Sequence, residues 1–500
     1  MDHHLPLLAE NREAAEVDRS SIEDYGVSSI ALMETAGIKT ADWLTEQTEP
    51  DDFIAVVCGK GNNAGDGLVC ARRLHAAGRK VGIHMIMGDQ KLSEDAAANY
   101  GVLQTISRNS ENLVFTESVK ELIDADPVWW VDGIFGTGLN SDVREPVASG
   151  IKTINNHPAP TLALDIPSGV DGSKGKILGT AIEAETTIMY GMGKLGGYIN
   201  EGPDYCGERI IVSLGFTGPA LQHVKRRLIE SDPKVISPKF NQVFTHKYKA
   251  GIVYLLAGSR GMTGAAVMAA KAAWSLGAGG VVILSPAGLM PVFEQLVPEA
   301  VKIALGSEDD LWFKPAHLEP ALNKIKTRHP HVLLAGPGSG TQMETNDFFS
   351  RLLQQYTGKL IIDADACLSL GNAERPAEQE LIATPHRGEF RKITEANSSD
   401  DYTLLSEVEK FAADQRITVL LKGQPGIVAG PECTYVTGYP THFYSRFGFG
   451  DILAGMVAAN FLHKKATDAT ITAMVAGHLR LEEIISKSPE RPVQPHDLIL

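Results

Sequence analysis

At about 150 residues per domain, a chain of 500 residues has room for two or three domains, which excludes a small single-module protein. Its 43% hydrophobic, 21% charged and 7% aromatic residues suffice for more than one core and exclude a disordered or fibrous chain. The 61 acidic against 46 basic side chains give a formal charge of -15, which repels polyphosphate backbones and excludes broad nucleic-acid binding, so any phosphate ligand has to be held locally.

The amino terminus, MDHHLPLLAENREAAEVDRSS, turns acidic early and lacks the basic start and apolar run of a secretion signal. Cysteines 58, 70, 206, 367 and 433 form no C-x-x-C pair and are odd in number, which fits a reducing compartment, and a cytoplasmic location is expected. Further along, short apolar strands at 53–58, 80–87, 128–132, 161–165, 186–190 and 209–214 alternate with helical patterns. Such alternation predicts a parallel sheet covered by helices. A seam between Gly218 and Thr245, with Pro233 and Pro238, puts a boundary near Ser231 and gives domains 1–230 and 231–500. The pattern then restarts at 251–257, 280–284, 332–335, 360–363 and 417–422. The most apolar stretch, Thr263 to Gly288, is broken by Lys271, Gly277, Gly279 and Gly280, so it reads as helix, turn and strand, and no membrane segment is expected. Without a short-period repeat, the chain is expected to form two unlike doubly wound α/β domains.

Ligands of open parallel sheets gather beyond the carboxyl ends of the strands. Three such ends stand out in the first half. Gly59-Lys60-Gly61-Asn62-Asn63-Ala64-Gly65-Asp66-Gly67 precedes a helix expected at 68–77; its glycines allow amides to approach an anion, and a tight strand-to-helix turn is the plain alternative. The spacing is not that of an ordinary dinucleotide fingerprint. The other two are Asp132-Gly133-Ile134-Phe135-Gly136-Thr137-Gly138-Leu139 and Asp165-Ile166-Pro167-Ser168-Gly169-Val170-Asp171-Gly172. One acidic strand end is commonly a cap, but three on one sheet edge point to a polar site.

Together the three segments, over 11–215, resemble the amino-terminal domain of NAD(P)H-hydrate epimerases, with its G-x-G-N-N-G-G-D-G loop, D-x-x-F-G-T-G turn and D-I-P-S-G strand end. The resemblance implies a Rossmann-like three-layer sandwich. It implies that Asn62, Asn63, Ala64, Gly65 and Asp66, with Gly136, Thr137, Gly138, Leu139, Asn140, Ser141 and Asp142, line a hydrated nicotinamide dinucleotide. Asn63, Asp132 and Ser168 would hold potassium, for which hard oxygen ligands are suited. Asp165 would contact substrate as the acid/base, with Lys194 as helper; a surface lysine is the bland alternative. Ala64, standing where the family has glycine, would remove freedom at positive φ.

In the second half, Gly258-Ser259-Arg260-Gly261-Met262-Thr263-Gly264-Ala265-Ala266 follows the first strand, and its small residues serve either ligand approach or helix packing. Gly336-Pro337-Gly338-Ser339-Gly340 and Asp363-Ala364-Asp365-Ala366 end later strands, and Thr384-Pro385-His386-Arg387-Gly388-Glu389 adds a histidine and a carboxylate. Lys422 ends another strand, where it either pairs with a phosphate or is simply solvated. Gly448-Phe449-Gly450-Asp451 opens a helix expected at 452–464, whose amides and dipole suit a transferring phosphoryl group, with Asp451 as base or as a mere cap.

From 243 onward these loops resemble ADP-dependent NAD(P)H-hydrate dehydratases, a ribokinase-like family with G-P-G-L-G, D-A-D-A-L, T-P-H-P-G-E, L-K-G and G-T-G-D motifs. The resemblance implies that Ala265, Gly338 and His386 contact the hydrated dinucleotide, that Lys422, Gly423, Gln424, Pro425, Gly426 and Gly450 contact ADP, and that Asp451 activates the substrate hydroxyl. ADP is the implied cosubstrate, with Mg²⁺ neutralising its phosphates. Tyr439-Pro440-Thr441-His442-Phe443-Tyr444-Ser445-Arg446-Phe447-Gly448 departs from the small-residue N-P-G-M-A-T-G-G stretch of the family, and Phe449 takes the place of its threonine or serine. A reshaped anion hole is expected there, with Arg446 as either a substitute donor or a surface residue. A ribokinase-like small-molecule kinase and a nucleotide-binding module without chemistry are the alternatives, and a homo-oligomer is expected.

Overall fold

The computed structural model describes residues 5–235, 250–325, 331–371, 374–395, 398 and 400–499. It divides into two compact units, one from Pro6–Arg226 with Asp400–Tyr402, the other from the described residues of Met1–Leu5, Arg227–Ser399 and Thr403–Leu500. Part of the expected seam at 218–245, including Pro238, lies outside the described residues, as does the start of the second resemblance at 243.

The first unit holds strands β1 (Leu7–Ala9), β2 (Phe53–Cys58), β3 (Lys80–Met85), β4 (Leu113–Thr116), β5 (Trp129–Gly133), β6 (Thr161–Leu164), β7 (Thr186–Tyr190), β8 (Gly193–Lys194) and β9 (Glu208–Val212). Seven of them form a sheet in the order β4-β3-β2-β5-β6-β7-β9, parallel throughout. The β2 sequence explains why helices cover both faces. Ile54, Val56 and Cys58 enter one apolar cluster with Leu44, Leu68 and Leu74 of the helices Ser29–Gln47 and Asn62–Ala76. Ala55 and Val57 enter another, on the opposite face, with Val147 and Ile151 of the helix Val147–Asn155. The period of two thus sends alternate residues to opposite cores. Strand order reverses between β2 and β5, which opens a crevice beyond their carboxyl ends. The short strands β1 and β8 pair in parallel apart from this sheet.

The second unit runs β10 (Arg226–Ile229), β11 (Ile252–Leu256), β12 (Gly280–Pro286), β13 (Val301–Leu305), β14 (His331–Ala335), β15 (Lys359–Asp363), β16 (Glu380–Thr384), β17 (Thr418–Leu421), β18 (Ile427–Ala429) and β19 (Thr434–Thr437). The spatial order is β13-β12-β11-β14-β15-β16-β17-β18-β19-β10. It is parallel from β13 to β17 and antiparallel through β18 and β19. Here the order reverses between β11 and β14, so the turns after them meet, with the Gly258 amide donating to the Pro337 carbonyl at 2.9 Å. The helix Phe449–Phe461 lies against the helix Thr263–Ser275 so closely that a Cβ on Gly455 would stand 2.2 Å from the Ala269 carbonyl oxygen.

Two doubly wound α/β units are therefore present, as expected. The differences lie at element ends. The helix expected at 68–77 begins at Asn62, and the one expected at 452–464 spans Phe449–Phe461. In both, residues that read as loop supply the first turn. Ala64 is helical and fully buried, so the expected loss of positive-φ freedom has no bearing on it. The half-exposed edge strand β4 carries too little apolar pattern to be read beforehand.

Between β2 and its helix, Gly59 donates to the Gly133 carbonyl at 3.1 Å, and a Cβ on it would lie 2.1 Å from the Ile134 carbonyl oxygen. Gly59→Ala is expected to destabilise the chain by about 2 kcal/mol through overpacking against rigid backbone. Chemical denaturation checks this.

Candidate functional site

The crevice of the first unit is a cavity of about 580 Å³. Asn62, Asn63 and Asp66 reach it from the first helical turn after β2. Gly136, Thr137, Gly138, Leu139 and Asn140 reach it from the loop after β5, Asp165 from the end of β6, and Lys194 from β8. Four residues of the expected lining are elsewhere. Ala64 lies in the core between helix and sheet, Gly65 faces the Met33 side chain, and Ser141 and Asp142 lie past the cavity wall, Asp142 beside Gly179.

Asp165 adopts φ +67°, a left-handed backbone that an aspartate tolerates and that turns its side chain at the strand end. Its Oδ1 accepts from Lys194 Nζ at 2.5 Å and from the Tyr190 amide at 3.2 Å. Lys194 is not a surface residue: its side chain is 4% exposed, and Nζ also donates to the carbonyls of Tyr190 (2.8 Å) and Met192 (3.2 Å). Burial lifts the neighbouring Asp66 carboxyl well above the usual range, with the Asp165 charge adding to the effect.

Asp132, Ser168 and Asn63 meet beside this cavity. Ser168 Oγ donates to Asp132 Oδ1 at 2.6 Å, and the Ser168 amide donates to Oδ2 at 2.7 Å. Asn63 Nδ2 donates to the Phe135 carbonyl at 3.0 Å, and the Phe135 amide donates to Ser168 Oγ at 2.8 Å. Asn63 Oδ1 is buried with no partner in the protein. Burial pushes the Asp132 carboxyl up to about 6, against the opposing Ser168 hydrogen bonds. An orphaned amide oxygen beside a buried carboxylate, a hydroxyl and a carbonyl is a donor set suited to a weakly charged, oxygen-preferring cation.

In the second unit, Lys422 at the end of β17 is buried rather than solvated. Its Nζ donates to Asp363 Oδ1 at 2.7 Å, the same oxygen that accepts from Thr384 Oγ1 at 2.7 Å. Burial opposes its charge, but Asp363 and Glu389 more than compensate, and the ammonium is held strongly protonated. Asp451 stands in the first turn of the helix Phe449–Phe461, where burial, reinforced by the Asp363 charge, lifts its carboxyl to about 7. The Gly450 and Asp451 amides lie in that same first turn, where intrahelical acceptors are lacking. Gly450 lies against Lys422, a Cβ there being 3.3 Å from Nζ. His386 caps the helix Arg387–Thr394: Nδ1 accepts from the amides of Gly388 (2.9 Å) and Glu389 (3.1 Å). Gly338, at φ +62°, faces Ala265, so these two expected contacts are neighbours. Gly423, Gln424, Pro425 and Gly426 form the turn after β17, pinned by Thr441, whose amide donates to Gln424 Oε1 at 2.5 Å, and by Thr437 Oγ1, which accepts from the Gly426 amide at 2.9 Å.

The rings of the departing loop are divided between core and solvent. Phe449 is 1% exposed and belongs to the core, 6.2 Å from Phe443 between centroids, while Phe447 points fully into solvent. Arg446 is exposed, and its guanidinium lies over the Phe443 and Phe449 rings at 5.9 and 5.4 Å. Among residues that strand-end reasoning overlooked, Asp18 lines the first cavity from the helix Asn11–Glu23, as does Tyr190. Asp18 carries no glycine or strand-end signal, whereas Asp363 was visible as a strand end without the ion pair being readable.

Residues 29–196 match the family model described as YjeF-related protein N-terminus, and residues 253–499 match that of NAD(P)H-hydrate dehydratase. The bifunctional NAD(P)H-hydrate repair enzyme Nnr of Salinibacter ruber is 34% identical over 464 residues, with 88% of this chain and 84% of the relative covered. The enzyme of the same name from Coxiella burnetii is 30% identical, with 91% and 89% covered. Among solved structures, the ADP/ATP-dependent NAD(P)H-hydrate dehydratase from Bacillus subtilis, co-crystallized with ATP and Mg²⁺, is 23% identical, with a TM-score of 0.43 and coverage of 52% of this chain and 89% of that chain.

Because Asp132 rises from 3.8 to about 6 on folding, the folded state keeps a proton that the unfolded chain loses. Its contribution is fully favourable below the unfolded value and fades as pH rises from about 4 to about 6, by up to about 3 kcal/mol. Chemical denaturation across that range, without potassium, is expected to show this decline in the wild type and a flatter curve in Asp132→Asn.

Proposed function

The chain belongs to the family of bifunctional NAD(P)H-hydrate repair enzymes, and from that membership we propose that its first unit interconverts the R and S hydrates of NADH and NADPH while its second dehydrates the S hydrate at the expense of ADP. The observation that carries this reading is a lysine taken out of water and paired with a strand-end aspartate in each unit: Lys194 of β8 with Asp165 after β6, and Lys422 after β17 with Asp363 of β15.

In the first unit, Asn62, Asp66 and residues 136–140 bind and orient the dinucleotide, and Asp165 stands at the reacting ring. A potassium ion fits Asn63, Asp132, Ser168 and the Phe135 carbonyl, where it would offset the buried carboxylate and fix the loop after β5. In the second unit, Asp451 takes the proton of the substrate hydroxyl, and the oxygen attacks the β-phosphoryl group of ADP, with AMP as leaving group. The phosphate ester then loses phosphate and a proton from the adjacent ring carbon, which restores the dihydronicotinamide double bond. Lys422 and the first-turn Gly450 and Asp451 amides balance charge on the moving phosphoryl group. Mg²⁺ enters as the counterion of ADP and would neutralise its phosphates. The burial of the Phe449 ring in the core supports retained chemistry over a module that only binds nucleotide. Among the described residues no helix is long and apolar enough to cross a membrane; we place the reaction in the cytoplasm, and light scattering reads whether the chain self-associates.

Absorbance recovery at the dihydronicotinamide band, from a mixture of both NADPH hydrate epimers with ADP, Mg²⁺ and K⁺, tests the reading, and complete recovery is expected. Asp451→Asn is expected to abolish dehydration and leave epimerisation intact, and Asp165→Asn to do the reverse, because the two sites lie in separate units. The base must be ionised, so the dehydration rate should climb as pH rises through about 7 and level off above it. Potassium, but not sodium at equal ionic strength, is expected to raise the melting temperature of the wild type, and Asp132→Asn should lose that response.

A further inference from the structure

The helix Asn11–Glu23 brings Asp18 to the wall of the first cavity, outside every motif that identifies the site. The ionisable groups of the other walls are Asp66, Asp165, Lys194 and Tyr190, with Lys60 and Asp95. Lys194 holds one positive charge and commits it to Asp165, its remaining donors being taken by the carbonyls of Tyr190 and Met192. Among the described residues Asp18 has no ion-pair partner, and it is an exposed residue of the cavity wall. Two carboxyl groups that share one ammonium unequally take up different proton states. Asp165 keeps the direct ion pair with Lys194. Asp18 is an exposed residue, yet the protein around the cavity raises its carboxyl to about 6, with Lys194 opposing and Asp165 adding to the rise, and a dinucleotide that displaces cavity water raises it further.

We propose that Asp18 is the general acid of the epimerase cavity and Asp165 its ionised counterpart, an assignment that rests on the epimerase reading of this cavity. Asp18 gives its proton to the hydroxyl oxygen on the hydrated ring carbon. The C–O bond breaks with its electron pair going to oxygen, water departs, and the adjacent ring nitrogen takes the positive charge as an iminium, opposite the Asp165 carboxylate. A water molecule then adds to the other face of the same carbon, forms the new C–O bond and gives up one proton to Asp165. Exchange with cavity water returns that proton to Asp18, and nothing is oxidised or reduced.

The test starts from one purified NADPH hydrate epimer without ADP and follows appearance of the other by chromatography, across pH values on both sides of neutrality. The wild-type rate is expected to fall as pH rises past the Asp18 carboxyl. Asp18→Asn is expected to lose about 100-fold or more in kcat with KM little changed, to lose that alkaline fall, and to keep the wild-type melting temperature. Asp18→Glu should regain the pH-dependent limb. A wild type that interconverts the epimers together with an Asp18→Asn variant of equal rate and equal pH profile overturns this assignment alone. A wild type that does not interconvert them overturns the epimerase reading and this assignment with it.

Discussion

Lys194 and Lys422 are both taken out of water at the end of a parallel sheet, and each meets an aspartate at hydrogen-bond distance. Removing an ammonium from water costs several kcal/mol, and the cost is offset only by a close carboxylate and further acceptors. Lys194 has two carbonyls besides its aspartate, and the Asp363 oxygen that faces Lys422 is also held by Thr384. Each unit then carries more carboxylates than its ammonium can neutralise: Asp18 and Asp66 in the first, Asp451, Glu389 and Asp365 in the second. The surplus groups are driven toward the protonated form, in the first place by burial. A proton store therefore stands beside a fixed charge in both sites.

The sheets supply the places where such an arrangement can exist. In each, strand order reverses at one point, between β2 and β5 and between β11 and β14, and the turns beyond those strands are tied to each other by a backbone hydrogen bond, Gly59 to Gly133 in the first unit and Gly258 to Pro337 in the second. The alternating inward residues of β2 show why this edge is rigid, since helices on both faces clamp the strand and leave only its end to be shaped by loops. Gly59, whose Cβ position is filled by the Ile134 carbonyl, fixes how the first of those loops leaves the sheet.

Much of this was legible in the sequence, because a buried parallel strand is a continuous apolar run and the residue after it falls at the ligand edge. Asp132, Asp165, Asp363 and Lys422 could be found that way. Asp18 could not, since it sits on the polar side of an amphipathic helix, where an aspartate reads as ordinary surface. Nor could the environment of Lys194, whose ion pair joins residues on different elements. The Asn62–Asp66 run read as loop because asparagine and glycine are poor helix formers, yet these residues make the first turn of a helix whose remaining turns are well packed. In the 439–451 segment, residue type alone suggested a reshaped anion hole. The direction of each side chain, inward for Phe449 and outward for Phe447, is set by tertiary packing that no local pattern encodes.

The approach of Gly455 to the Ala269 carbonyl has a bearing on how this site can change over time. It fixes the middle of the helix Phe449–Phe461, so helix–helix packing, in addition to the contacts of Phe449 with the loop before it, sets the position of Asp451. The helix axis is thus set by a contact that the packing of its turns can hold, and a change of side chain in the loop leaves that contact in place.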